Sequence, residues 1–278
     1  MKGLLQRAIT ALFFVGVMLG GLYGGHYSFV ILFAIITAMC LWEYFEMTLR
    51  RDGRRDKVRV FLGIAFGLTP FALASILQLN LIQFDEQFII VTSFLFFPFI
   101  FLAFIYELFS KSEAPFRNVA YIVLGMVYIG APFALLDFIA FDDEKFYANV
   151  VFGLLALSWS NDTGAYLVGS FFGKTPLIPR ISPKKTWEGT IGGVIITFLI
   201  AWCLNLIFDD LRLMDWMVLA AIVAVFGSIG DLIESMLKRS TAVKDSGGLL
   251  PGHGGVLDRF DAFIFLLPFA AAYLLWIR

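Results

Sequence analysis

The chain has 278 residues, of which 60% are hydrophobic and only 15% are charged, and its formal net charge is −1. Soluble domains are roughly half apolar and about a quarter charged, so this composition predicts an integral membrane protein and excludes an ordinary soluble domain. Cys40 and Cys203 both lie inside apolar runs, which argues against a disulfide framework and a paired-cysteine metal motif.

Nine apolar stretches follow one another along the chain, each long enough for a helix of roughly 20 residues to cross a membrane. They are too long and too uniformly apolar for the strands of a membrane barrel. The first resembles a signal peptide, but no small-residue cleavage site follows it, so we interpret it as a retained span. We therefore predict an all-α, polytopic membrane protein. The nine spans are residues 8–24, 28–48, 60–80, 88–108, 118–138, 148–170, 190–208, 215–237 and 257–277.

Basic residues are segregated between alternate connections. The N-terminus, the loops after spans two, four, six and eight and the start of span nine contain all but three of the 21 lysine and arginine residues, the exceptions being Lys145, Arg212 and Arg278. This bias predicts a cytoplasmic N-terminus and a C-terminus on the outside. The basic loop at 50–59 has no glycine-rich segment or carboxylates of the kind described below, so we assign it to topology and headgroup attraction.

The sixth span and the loop after it contain the first polar residues that spanning lipid does not explain. Asn161 and Asp162 interrupt an apolar run in "LSWSNDTGAYLVGSFFGK", where intramembrane polar groups are costly. The segment "RISPKKTWEGTIGG" then brings Lys184 and Lys185 close to the headgroups, and its Thr186 is suited to cap the seventh span. For the lysine pair, positive-inside topology alone is an alternative explanation.

The eighth and ninth spans carry carboxylates near one end. In "GSIGDLIESMLKRS", Asp231, Ser235 and Lys238 are spaced i, i+4 and i+7 and so share a helix face. In "LDRFDAF", Asp258 and Asp261 lie one turn apart. The three aspartates are suited to oxygen coordination of Mg²⁺. A buried salt bridge to a lysine or arginine is the alternative for Asp231.

Between these carboxylates lies a basic, glycine-rich loop. Lys238, Arg239 and Lys244 precede "SGGLLPGHGG", whose glycines let successive backbone N–H groups form an anion-binding nest. His253 could donate to a phosphate or shuttle a proton, although it could also be a simple loop histidine. The residues thus predict a membrane-embedded site for phosphates and Mg²⁺, equipment typical of phosphoryl and nucleotidyl transfer.

The stretch "SMLKRSTAVKDSGGLLPGHGGVLDRFD", residues 235–261, closely resembles the C-terminal motif of phosphatidate cytidylyltransferases, also called CDP-diacylglycerol synthases. The stretches "NDTGAYLVGSFFGK" and "SPKKTWEG" also resemble blocks of that family. The resemblance is firm over 158–261 and rests mainly on the span count before that. Ser170 departs from it, because many members have a basic residue there.

The resemblance implies that the chain transfers the cytidylyl group of CTP to phosphatidic acid, giving CDP-diacylglycerol and pyrophosphate. Spans one to five (1–147) would then precede a catalytic transmembrane region (148–278). The catalytic set would be Asp231, Asp258, Asp261 and Lys238, with the three aspartates holding Mg²⁺. The substrate-binding set would be Asp162, Lys184, Lys185, Ser235, Arg239, Lys244, Asp245, His253 and Arg259.

Two other functions stay open at this point. A CTP-dependent lipid kinase would use the same nucleotide and metal but release CDP. A nucleotide or phosphate transporter would use the carboxylates to couple ions, although such folds often contain internal repeats, and no repeat is visible here. We expect membrane lipid as a partner and no nucleic acid. A second cation and a homodimer also stay open.

Overall fold

The structure is a computed structural model that describes residues 2–49, 57–81, 98, 100–142, 145–249 and 254–278, with the backbone alone for 2–9 and 11. Within these ranges the chain is almost entirely helical. The helices are α1 (Lys2–Tyr23), α2 (His26–Thr48), α3 (Lys57–Gln78), α4 (Ile100–Ser110), α5 (Pro115–Ala140), α6 (Ala148–Phe172), α7 (Trp187–Ile207), α8 (Leu213–Ser240) and α9 (Leu257–Ile277).

Six of these helices are long and apolar enough to cross a membrane: α2, α3, α5, α7, α8 and α9. This confirms the predicted all-α, multi-pass membrane class. Helix α6 has 25 residues but carries the polar "SWSNDT" segment, and α4 is a shorter apolar helix. The count of nine spans stays a prediction, and most of the predicted span 88–108 lies outside the described residues.

Local chemistry explains several helix boundaries. Pro115 occupies the first turn of α5, where its missing N–H costs no intrahelical bond. The Thr186 side chain accepts a hydrogen bond from Gly189 N (3.2 Å) and caps α7, as the sequence predicts.

Helices α5 and α8 each contain a π-helical turn, at Met126–Gly130 and Val223–Gly227. Such turns often occur at functional sites, and the second precedes Asp231 by one helical turn.

Two short antiparallel hairpins interrupt the helices. Strands β1 (Phe141–Asp142) and β2 (Lys145–Phe146) pair Phe141 with Phe146, and their rings stack at a centroid distance of 5.1 Å. Strands β3 (Pro176–Ile178) and β4 (Ser182–Thr186) pair with an irregular register. The second hairpin carries Lys184 and Lys185, which the sequence places in an ordinary loop.

The chain divides into two compact units. The first comprises Met1–Asp137 and Ser246–Leu257, and its core includes Phe33 and Phe133, whose ring centroids lie 6.1 Å apart. Small residues let its helices approach closely: a Cβ on Gly67 would lie 2.7 Å from the side chain of Leu41.

The second unit comprises Phe138–Asp245 and Asp258–Arg278. Its most extensive helix interface joins α6 and α7, and fully buried Trp216 on α8 packs over Gly153 on α6. Phe226 on α8 stacks on Phe269 of α9 at a centroid distance of 3.5 Å. This unit contains most of the predicted site residues.

Candidate active site

A cavity of about 370 Å³ opens in the second unit. It is bounded by α6, the β3–β4 hairpin, the first turn of α7 and the middle of α8. Its polar lining includes Asn161, Asp162, Lys184, Lys185 and Asp231, and its apolar lining includes Ala165, Tyr166 and Leu177. The cavity therefore offers charge of both signs together with apolar side chains. This size is typical of small-ligand sites.

Close helix packing sets the frame of this cavity. A Cβ on Gly193 of α7 would lie 2.8 Å from the Asn161 carbonyl oxygen of α6, so the two backbones meet there. Asn161 is 2% exposed, and its side chain accepts from Thr197 Oγ1 (3.4 Å) and donates to Ser228 Oγ (3.3 Å). One buried amide thus connects α6, α7 and α8 next to the cavity. Hydrogen bonds between helices add directional support where the bilayer supplies no water.

The β3–β4 hairpin is held against the start of α7. Glu188 accepts backbone hydrogen bonds from Lys174 N (3.1 Å) and Thr175 N (3.1 Å), and Trp187 N donates to Thr175 O (3.0 Å). These contacts close the base of the hairpin, so its second strand presents Lys184 and Lys185 at the cavity in a fixed position.

Asp231 is the centre of a group of charged side chains that we call the Asp231 cluster: Asp162, Lys185, Asp231 and Asp261. Lys185 forms an ion pair with Asp231. Asp261, which is 8% exposed, lies within hydrogen-bonding reach of Asp231. Asp162 is close enough to interact electrostatically with Asp231, Lys185 and Arg259. The salt bridge considered as an alternative for Asp231 is therefore present, but it is half-buried, and its lysine comes from the cavity rim.

A second group, the Lys238 cluster, lies further along α8. The Lys238 ammonium is paired with Glu234 one turn earlier and with Asp258 at 2.7 Å. Glu234 is fully buried, and the sequence analysis missed it. Its position four residues before Lys238 inside an apolar span was the available signal.

The sequence predicts that Asp231, Asp258 and Asp261 together hold Mg²⁺. Among the residues that the structure describes, no three His, Cys, Asp or Glu side chains are arranged to close on one ion. Asp258 is engaged with Lys238, whereas Asp231 and Asp261 are neighbours. Mg²⁺ is usually held by one or two carboxylates together with substrate phosphates, so the Asp231–Asp261 pair fits it. A site that also includes Asp258 stays a prediction.

The other predicted residues lie at different degrees of exposure. Lys184, Arg239, Lys244, Asp245 and Arg259 are exposed, and Ser235 is half-buried on α8. His253 lies outside the described residues. At the position that departs from the family pattern, the Ser170 hydroxyl donates to Leu167 O (2.8 Å) and lines the cavity without charge.

Sequence comparison with known proteins decides the family. A model of the cytidylyltransferase family matches residues 5–277. The chain belongs to this family. The family predicted from the 235–261 motif is thereby confirmed.

Individual relatives carry a more specific name. The chain is 41% identical over 165 residues to the phosphatidate cytidylyltransferase of Bacillus subtilis, covering 59% of this chain and 61% of that protein. It is 39% identical over 170 residues to the one of Staphylococcus aureus strain COL, covering 60% of this chain and 64% of the relative. The aligned part thus spans less than two thirds of the curated relatives.

Proposed function

We propose that this membrane protein transfers the cytidylyl group of CTP to phosphatidic acid, giving CDP-diacylglycerol and pyrophosphate. One observation supports this most: the lining of the cavity combines carboxylates and lysines with apolar side chains. Both substrates are polyanions, and one of them is a lipid. The names of the relatives agree with this assignment.

The lining of the cavity suits these two substrates. Phosphatidate leaves the bilayer only at a large free-energy cost, because each buried CH₂ contributes about 0.8 kcal/mol. The strongly hydrated charges of CTP exclude it from hydrocarbon. A cavity with both polar and apolar lining would let the lipid phosphate meet the nucleotide while the acyl chains stay in the bilayer and CTP stays out of the hydrocarbon.

In the proposed reaction, an oxygen of the lipid phosphate attacks the α-phosphorus of CTP. A new P–O bond forms, the bond between the α-phosphorus and the bridging oxygen to the β-phosphorus breaks, and pyrophosphate leaves. The lipid phosphate is the nucleophile, so no nucleophilic side chain is needed. The chain's own residues would bind and orient the two phosphates.

Specific roles follow from the geometry. Exposed Lys184 would bind phosphate at the cavity rim. Lys185, already paired with Asp231, would stay close to the reacting phosphates. Asp231 and Asp261 would hold Mg²⁺, which when bound neutralises charge that develops on the triphosphate.

Isotope position distinguishes this reaction from the two alternatives. Purified protein is mixed with phosphatidate, Mg²⁺ and CTP labelled at either the α- or the γ-phosphorus. We expect the α-label in the lipid and the γ-label in pyrophosphate. A lipid kinase would place the γ-label in the lipid and release CDP. A transporter would leave both substrates unchanged and move CTP into proteoliposomes, which would contradict the proposal.

We further propose that the candidate site faces the cytoplasm, as the charge segregation predicts. In a background without Cys40 and Cys203, single cysteines at Ser182 on the β3–β4 hairpin and at Asp209 after α7 should report opposite sides. We expect an impermeant thiol reagent added to intact cells to label the cysteine at 209 and spare the one at 182. The reverse pattern would overturn the orientation. Light scattering on the purified protein tests the homodimer.

A further inference from the structure

A buried carboxylate in the first unit contacts both ends of the glycine-rich loop. Glu43 lies on α2 and is only 2% exposed, between fully buried Leu41 and Tyr44. An intramembrane carboxylate is costly unless other groups stabilise it. Its buried position on a mostly apolar helix therefore calls for partners.

Those partners belong to the segment Ser246–Leu257. Glu43 Oε2 accepts hydrogen bonds from Ser246 Oγ at 3.1 Å and from Leu257 N at 2.8 Å. Ser246 begins this segment and Leu257 ends it, so one carboxylate oxygen fixes both ends of the loop.

Two glycines allow this close approach. A Cβ on Gly247 would lie 2.7 Å from Glu43 Cδ, and one on Gly255 would lie 2.9 Å from the same atom. Real Cβ atoms essentially never come so near, so the loop backbone can rest on the carboxylate only because both residues are glycine. The glycines that the sequence analysis assigns to an anion nest thus also have a packing role.

The contact with Leu257 also reaches the last helix. Leu257 is the first residue of α9, and its N–H is one of those that a helix leaves without an intrahelical partner. A carboxylate there satisfies the donor and interacts favourably with the helix dipole. Asp258 follows directly, and Asp261 lies one turn later.

We propose that Glu43 is a positioning residue: it ties the glycine-rich loop to α2 and sets the start of α9, and with it the direction of Asp258 and Asp261. The catalytic consequence rests on the proposed function, whereas the effect on loop order does not. Glu43 would touch no substrate and would act through the loop and the helix.

The test measures loop order and turnover separately. A spin label is attached to a cysteine at Leu249, which is 47% exposed, in the full-length protein without Cys40 and Cys203. Glu43→Ala removes both hydrogen bonds, Glu43→Gln keeps an acceptor, and Ser246→Ala removes one partner. Glu46→Gln on the same helix is the matched control.

We expect Glu43→Ala to raise label mobility clearly, Glu43→Gln and Ser246→Ala to raise it less, and Glu46→Gln to leave it unchanged. In unlabelled protein, kcat should fall in the same order, by about 10- to 100-fold for Glu43→Ala, because small misplacements of reacting groups are this costly. A kcat that is higher in Glu43→Gln than in Glu43→Ala would show that Glu43 acts by accepting hydrogen bonds and that its negative charge is not essential.

Label mobility and kcat each test a separate part of the proposal. Unchanged mobility in Glu43→Ala would overturn the tether, and raised mobility with unchanged kcat would overturn its role in turnover. If Glu43→Ala does not fold, Ser246→Ala must raise mobility and lower kcat together, or the proposal is wrong. If the unaltered protein transfers no cytidylyl group, the proposed function fails, and the mobility series still decides whether Glu43 orders the loop.

Discussion

The ion pairs of the two compact units differ in their balance of charge. In the first unit, Arg59 and Glu107 are each 4% exposed and form a two-point ion pair, and Asn118 Nδ2 also donates to Glu107 Oε2 at 3.2 Å. One cation is therefore balanced by one carboxylate, and an amide hydrogen bond stabilises the pair. In the second unit, the Asp231 cluster has three carboxyl groups and one lysine, with Arg259 acting on Asp162 as a second cation. The Lys238 cluster has two carboxyl groups around one ammonium.

This difference indicates what each arrangement is for. A balanced, hydrogen-bonded pair neutralises itself and needs no ligand, so its role is to hold helices together. Carboxyl groups in excess of cations, next to a cavity and an exposed lysine, are stabilised further when a cation and its phosphate ligands bind. Burial alone therefore does not mark a functional charge; an uneven balance beside open space does.

The largest effects should come from neutralising the acidic excess. Asp231→Asn and Asp261→Asn keep side-chain size and remove charge from the pair suited to Mg²⁺. We expect each to lower kcat by about 100- to 1000-fold, the range for losing one preorganised electrostatic contact to a transition state. Steady-state rates at saturating CTP and phosphatidate provide the measurement, with exposed Asp209→Asn as the control.

Asp258→Asn extends this test to the Lys238 cluster. If Asp258 shares the metal, its variant should need more Mg²⁺ for half-maximal rate, as the other two should. If it only neutralises Lys238, the Mg²⁺ requirement should be unchanged. Full activity of Asp231→Asn at limiting Mg²⁺ would contradict the functional interpretation of the whole cluster.

The balanced pair should respond in stability rather than in chemistry. Glu107→Gln leaves Arg59 charged and buried without its carboxylate, which costs about 3–5 kcal/mol of folding free energy. We expect a lower thermal unfolding temperature in detergent and an unchanged kcat at low temperature. Exposed Glu113→Gln is the control and should change neither quantity.

The double variant Arg59→Leu/Glu107→Leu tests whether the protein needs this ion pair at all. Replacing a buried ion pair by apolar residues of similar size is often neutral or stabilising, so it should recover most of the lost unfolding temperature. A kcat that fell with Glu107→Gln and stayed low in the double variant would assign this pair to function and remove the distinction between the units.

Much of the fold follows from the length of the apolar runs. The predicted spans 28–48, 190–208 and 257–277 lie within a few residues of α2, α7 and α9, because the thickness of the bilayer fixes helix length. The β3–β4 hairpin was not predicted, since its strands have only three and five residues and Glu188 holds the base of the hairpin from outside both strands.

The sequence predicts which charged residues belong to the site better than it predicts which of them form pairs. Asp231 and Lys238 stand out as charges within an apolar span. The partner of Asp231 is Lys185, 46 residues earlier, and no local pattern connects them. Glu43 was missed for the same reason, since its partners lie 203 and 214 residues away.

The smallest predicted effect separates two adjacent lysines of the β4 strand. Lys184 is exposed at the cavity, whereas the Lys185 side chain is 30% exposed and paired with Asp231. A cation that contributes equally to binding substrate and transition state changes KM and leaves kcat alone. We therefore expect Lys184→Ala to raise KM for CTP or phosphatidate by about 10-fold, the effect of losing roughly 1.4 kcal/mol of binding, with kcat nearly unchanged.

Lys185→Ala should instead lower kcat at saturating substrate, because it also leaves Asp231 without its partner. Initial rates with each substrate varied in turn provide both constants, and Lys174→Ala on the same connection is the control. If Lys184→Ala lowered kcat with KM unchanged, Lys184 would act in turnover together with the Asp231 cluster, and its assignment to substrate binding would be wrong.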